Sequence, residues 1–133
     1  VKKIRECVVI YDTYNANPLS MVAGLDTLSN YPLDVQKIAV LGDMFGLGEQ
    51  SASLHEQIGR EYSFEHINEL WVVGEYMMLL ADAVEKRNLP ITVRRFDDKE
   101  QLYRALKVQT NSISLILVKA SRGMLLDEVV SRL

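Results

Sequence analysis

Three short stretches of this chain concentrate the side chains able to hold or position a ligand. The first, Asp12-Thr13-Tyr14-Asn15-Ala16-Asn17-Pro18, places a carboxylate, two carboxamides and two hydroxyls side by side. A carboxylate such as Asp12 can accept hydrogen bonds from vicinal hydroxyls, as a ribose presents them, and Asn15 and Asn17 can each donate and accept. A helix opening at Pro18 would add its positive end, which favours an anion nearby. A plainer role is also open: Asn17 is a preferred N-cap, and Asp12 can simply order the loop. Three polar side chains exceed what one cap requires, so the cluster reads as a ligand-contacting turn.

The second stretch is Lys119-Ala120-Ser121-Arg122-Gly123. A lysine at the end of an apolar strand is poorly explained by packing, because lysine is rarely buried without a partner. The planar fork of Arg122 suits a carboxylate or a phosphate. The alternative is an ion pair between Lys119 and a loop acid, Asp12 or Asp43. The third stretch, Gly42-Asp43-Met44-Phe45-Gly46-Leu47-Gly48-Glu49, allows close backbone approach but matches neither dinucleotide nor P-loop patterns. No G-x-x-x-x-G-K-[ST] occurs anywhere, so the chain shows no triphosphate cradle of its own. With only His55, His66 and a single cysteine, a zinc site is not expected. His55 reads as a helix-surface or packing residue, Cys7 as a small buried hydrophobe, and Trp71, Met77 and Met78 as core. Arg94-Arg95 and Asp97-Asp98 read as a solvated surface and a cap.

These stretches need elements to hold them. Apolar runs at 7–11, 37–41, 70–73, 91–93 with Phe96, and 113–118 are continuous and β-branched, as strands covered on both faces are. Helical spacing fills the gaps. One helix starts at Pro18, capped by Asn17, with Leu19, Val22, Leu25 and Leu28 as its apolar stripe. A second, capped by Ser51 or Ser53, carries Leu54, Ile58 and Tyr62. A third runs from about Glu75 with Met77, Leu80 and Val84 inward. A fourth starts at Asp97 or Asp98, where Asp98 and Gln101 resemble a capping box, and buries Leu102, Ala105 and Leu106. The last follows Gly123 with Leu125, Leu126, Val129 and Val130. Strict alternation predicts right-handed crossovers and an α/β, Rossmann-like three-layer domain with a mostly parallel sheet flanked by helices. In such folds, ligands sit at the carboxyl ends of the strands, where the three stretches lie.

Composition bounds the rest. The 133 residues fit one domain, 1–133, and 48% hydrophobic with 25% charged residues is ordinary for a globular chain. A net charge of −3 supplies no basic field for nucleic acid, which is not expected as a partner. No apolar stretch approaches the roughly 20 residues of a membrane span, so no membrane insertion is expected. One cysteine agrees with a reducing cytoplasm. Val1 in place of an initiator Met suggests a piece of a longer protein.

The Asp12–Pro18 segment, Val40-Leu41-Gly42-Asp43-Met44 with Leu47-Gly48-Glu49, and Val118-Lys119-Ala120-Ser121-Arg122-Gly123-Met124 together resemble the C-terminal domain of the Mur ligases. The resemblance spans nearly the whole chain and is nearest to the branch that adds D-alanyl-D-alanine. It implies a three-domain, ATP-dependent ligase acting on a UDP-MurNAc-peptide and D-Ala-D-Ala through an acyl phosphate. A missing central domain would hold most of the ATP and Mg, together with the P-loop and a carbamylated lysine. By motif, Asp12, Asn15 and Asn17 would lie by the nucleotide, and Lys119, Ser121 and Arg122 by the carboxylate of the incoming amino substrate. The other domains of the same chain would be partners, and this piece alone would be inactive, with no catalytic residue of its own. Tyr11, Ala120 and Phe45-Gly46 depart from the family's usual Asp, Gly and Leu-Glu. A second reading is a non-catalytic, flavodoxin-like nucleotide-binding or regulatory module, in which Asp43 mimics a receiver aspartate. The ligase reading expects the Asp12 and Arg122 turns to share one open groove.

Overall fold

A computed structural model describes all 133 residues. In chain order the elements are β1 (Lys2–Ile4), β2 (Cys7–Asp12), α1 (Pro18–Asn30), β3 (Gln36–Gly42), α2 (Ser51–Glu61), β4 (Glu69–Val73), α3 (Met77–Glu85), β5 (Thr92–Phe96), α4 (Lys99–Gln109), β6 (Ser114–Lys119) and α5 (Leu126–Arg132). The strands form one sheet in the order β1-β2-β6-β3-β4-β5. All neighbours are parallel except β1, which turns back antiparallel on β2.

Side chains of a strand alternate between faces, and the core divides accordingly. Ala39, Leu41, Leu70, Val72, Leu115 and Leu117 pack on one side with Met21, Leu25 and Leu28 of α1, Ile58 of α2, and Leu80 and Val84 of α3. Ile38, Val40, Trp71, Val73, Ile116 and Val118 pack on the other with Leu102 and Leu106 of α4 and Leu126, Val129 and Val130 of α5. The expected three-layer α/β architecture is therefore present.

Some details differ from the sequence reading. The basic opening segment forms β1, an edge strand whose three residues are too few to show a period. In α1 the buried stripe is Met21, Leu25 and Leu28, while Leu19 is 82% exposed. Asn17 caps this helix as expected, its side chain accepting from the N–H of Ser20 at 2.9 Å. Neither Ser51 nor Ser53 caps α2, because a 3-10 turn at Gly48–Gln50 runs directly into it. Asp98 caps α4 by accepting from Gln101 N–H at 2.8 Å, but the Gln101 side chain returns to Asp97 rather than to Asp98. Leu125 is 41% exposed and left-handed, so α5 begins only at Leu126.

The strand order also fixes where the chain reverses its winding. From β2 the path moves across to β3, β4 and β5 with α1, α2 and α3 on one face. It then returns through α4 to β6, between β2 and β3, and leaves through α5 on the opposite face. At the carboxyl end of β6 the neighbouring connections therefore diverge, the position where open α/β sheets form crevices for ligands.

Candidate functional site

The turns after β2, β6 and β3 meet at this reversal point. Asp12 and Lys119 are register partners on adjacent parallel strands. The Lys119 Nζ donates to Asp12 Oδ2 at 2.7 Å and to the Asn15 carbonyl at 3.2 Å. Lys119 is 3% exposed and its aliphatic stem lies on α1, where a Cβ at Gly24 would stand 2.8 Å from Cδ. The Asp12 side chain remains 51% exposed, and its other oxygen accepts long bonds of 3.4 Å from Tyr14 N–H and Asn15 N–H. Partial burial pushes the Asp12 carboxyl up, but the hydrogen bond and charge of Lys119, with the Asn15 and Tyr14 N–H groups, outweigh it. The carboxyl is left below the usual range.

Ser121 ties the three turns together. Its hydroxyl donates to Ala16 O at 3.3 Å and accepts from Phe45 N–H at 2.8 Å, while its own N–H donates to Asp43 O at 3.1 Å. At 8% exposure it faces the interior of the junction. The N–H of Arg122 donates to Tyr14 O at 3.1 Å, and its guanidinium carbon lies 5.1 Å from the centre of the Tyr14 ring. Arg122 is exposed and enters none of the chain's ion pairs. Asn15 is exposed with only its backbone engaged, and Asn17 is exposed with its carbonyl oxygen used as the cap.

The six sequence-selected residues thus gather at the carboxyl end of the sheet; Asp12 and Lys119 line a shallow groove against α1 in which Arg122 takes no part. The Asp12 and Arg122 turns are in direct contact, because β2 and β6 are immediate neighbours and their exits are joined by hydrogen bonds. Arg122, Asn15 and half of Asp12 face outward, whereas Lys119 and Ser121 are engaged within the fold.

Sequence reading did not anticipate two organising residues. His55 is wholly buried, not on the helix surface, and is more than filler. Its Nε2 accepts from Met44 N–H at 3.0 Å, which leaves Nδ1 to donate to Ser51 O at 2.6 Å. Its ring stacks on Tyr76. Asp43 is 4% exposed and accepts from Tyr76 N–H at 3.2 Å and Met77 N–H at 2.8 Å, closing the first turn of α3. A receiver-type aspartate must be open to solvent, so the regulatory-module reading loses its acceptor. The signal for His55 lay in its place four residues after Ser51, where a ring nitrogen can reach back along a helix.

No three His, Cys, Asp or Glu side chains converge as metal ligands. No helix is long and apolar enough to cross a membrane.

The family model of the Mur ligase glutamate ligase domain matches residues 1–122. Among curated proteins, the UDP-N-acetylmuramoyl-tripeptide–D-alanyl-D-alanine ligase of Bacillus subtilis is 34% identical over 125 residues, covering 94% of this chain and 27% of its own length. The ligase of the same name from Rickettsia prowazekii is 33% identical over 127 residues, covering 96% and 27%. This chain therefore spans about a quarter of the relatives it matches. Among solved structures, MurF from Acinetobacter baumannii superposes with a TM-score of 0.81 at 24% identity, over 99% of this chain and 29% of that one, a likeness of fold. MurF ligase from Thermotoga maritima, in complex with ADP, gives 0.72 at 25% identity, over 98% and 28%.

Proposed function

The chain belongs to the Mur ligase family, and from that premise we propose that it is the C-terminal, site-closing domain of a cytoplasmic, three-domain ligase. The whole enzyme would use ATP to join D-Ala-D-Ala to a UDP-MurNAc-peptide in peptidoglycan precursor synthesis, the reaction named for its relatives. The observation that carries this reading is the unpaired guanidinium of Arg122, on a turn hydrogen-bonded to the one that follows the half-exposed Asp12 carboxylate at the reversal point of the sheet.

ATP supplies activation of the peptide carboxylate as an acyl phosphate. What this domain adds is position. An amine attacking that acyl group gains most from being held in line, and a fork on its distant carboxylate holds it. Arg122 has the donors and the exposure for that contact. Lys119 and Ser121 serve it from behind: Lys119 fixes Asp12, and Ser121 fixes the Asp43–Phe45 and Ala16 backbones around the Arg122 turn. Asp12 fits a sugar hydroxyl, since its carboxylate is both held in place and half open; Asn15 offers a whole carboxamide beside it and Asn17 its amide N–H groups, the oxygen being used as the cap. A nucleotide's magnesium would take its protein ligands from the central domain that the family resemblance implies. Closure of the domain over the site would also keep water from the acyl phosphate.

The test is a ligation assay of the full-length protein with ATP and a UDP-MurNAc-peptide against a panel of amino acids and dipeptides. D-Ala-D-Ala is expected as the preferred amine, and the 133-residue chain alone is expected to give no product. Turnover by this chain alone, or preference for a single amino acid, would refute the proposal.

A further inference from the structure

We propose that Tyr14 and Phe45 frame Arg122 as a specificity ledge for the carboxylate end of the incoming dipeptide, Tyr14 orienting the guanidinium and Phe45 limiting the side chain beside the carboxylate. The inference rests on the ligand contact proposed for Arg122 above.

Because β6 lies between β2 and β3, the turns after those two strands must flank the turn after β6. Tyr14 stands on the β2 side. Its carbonyl holds the Arg122 N–H and its ring lies 5.1 Å from the guanidinium carbon. Cation–π contact of this kind engages no N–H of the guanidinium in a hydrogen bond, which leaves its donors free for a carboxylate. Phe45 stands on the β3 side, anchored by its N–H to Ser121 Oγ at 2.8 Å. Its ring lies directly on Gly123, so closely that a Cβ there would meet Cε2 at 2.6 Å and Cδ2 at 2.8 Å. The ring cannot retreat towards the turn.

Both rings remain in water, Tyr14 at 70% and Phe45 at 47% exposure. Apolar surface of this kind, beside a cation that has no carboxylate partner, suits a ligand that carries its own carboxylate and a small apolar group next to it. With the carboxylate bound in the plane of the fork, that neighbouring group projects towards one of the flanking rings. A methyl would rest against Phe45; a branched or longer side chain would meet a ring that Gly123 backs on the side of the turn.

The full-length ligase carrying this domain tests the idea with ATP, UDP-MurNAc-peptide and two amines, D-Ala-D-Ala and D-Ala-D-Val. Phe45→Ala is expected to lower the ratio of their kcat/KM values by about tenfold, with Phe45→Leu in between. The KM for ATP should stay within about twofold. Tyr14→Ala should raise KM for both amines alike and leave their ratio unchanged, and Tyr14→Phe should restore it, since stacking needs the ring and not the hydroxyl. A parent-like ratio in both Phe45 variants overturns the ledge, as does an equal loss for ATP and dipeptide. If Phe45→Ala does not fold, the Phe45→Leu ratio decides. A parent enzyme that ligates neither dipeptide sinks the reading of Arg122 itself, a result distinct from failure of the ledge.

Discussion

Asp12 and Lys119 face each other across the β2–β6 ladder and form a 2.7 Å ion pair that is buried at one end and wet at the other. The lysine is the buried member. Its charge is satisfied by one carboxylate and one carbonyl, and that carboxylate is a candidate ligand contact. Strand pairing thereby links the turn proposed for the nucleotide to the turn proposed for the substrate.

The pair predicts an acid-sensitive junction. Asp12 titrates below the usual carboxylate range in the fold, whereas in an unfolded chain aspartate titrates near about 3.9. A depressed folded pKa adds stability that is complete above the unfolded value and lost as pH falls through the folded one. The melting temperature should therefore fall below about pH 4, and Asp12→Asn should flatten that part of the curve. At neutral pH the variant should lose about 1–2 kcal/mol, a modest figure because Asp12 is half in water. Thermal melts across the acid range check both; a parent-like acid slope in Asp12→Asn would assign the sensitivity to other carboxyls.

His55 offers a sharper case. Its two ring nitrogens serve Met44 N–H and Ser51 O inside a wholly buried setting. His55→Phe keeps ring volume and the stacking on Tyr76 but strands the Met44 N–H, at a cost of about 1–3 kcal/mol. His55→Ala adds a cavity and should cost more, about 3 kcal/mol in all. Denaturant midpoints compare the two directly. A His55→Phe protein as stable as the parent would mean that the loop is held by other bonds.

What was legible in the sequence was whatever repeats. Continuous apolar strands, helical spacing and the Asn17–Pro18 start each involve several residues obeying one period, so the five parallel strands and their order of helices could be read directly. Single-residue facts were not legible. Leu19 has the spacing of a core position, yet Met21, two residues on, takes the inward face once α1 settles on β6. His55 carries no mark of burial in its type. That the candidate residues lie together at strand ends was legible, but which of them turn inward was not. Whether Lys119 meets a ligand or Asp12 depends on β2 and β6 being neighbours, and strand order is a property of the whole chain.

Gly74 illustrates a constraint that only three dimensions expose. Its φ of +114° lies where side chains are strained, and a Cβ would stand 2.4 Å from Asp43 Oδ1. Gly74→Ala should therefore both strain the backbone and expel the carboxylate that closes α3, for a loss of about 2–3 kcal/mol. Equilibrium unfolding measures it. A neutral Gly74→Ala would show that Asp43 has another place to go.

The last prediction separates the two sides of the junction by function. Arg122 is exposed, in cation–π contact with Tyr14 and without a carboxylate partner, so removing it strands no buried group and should leave stability within about 0.5 kcal/mol. Its contribution should appear only when ligand is present. In the full-length ligase, Arg122→Ala is expected to raise the dipeptide KM by about tenfold to a hundredfold, the loss of a charge-assisted pair, with the ATP KM nearly unchanged. Arg122→Lys should recover only part of this, because an ammonium keeps the charge but not the planar fork. Steady-state kinetics in each substrate, read beside a melting curve, decides the matter. An unchanged dipeptide KM, or a loss shared equally with ATP, would remove Arg122 from the carboxylate site and leave the guanidinium as ordinary surface.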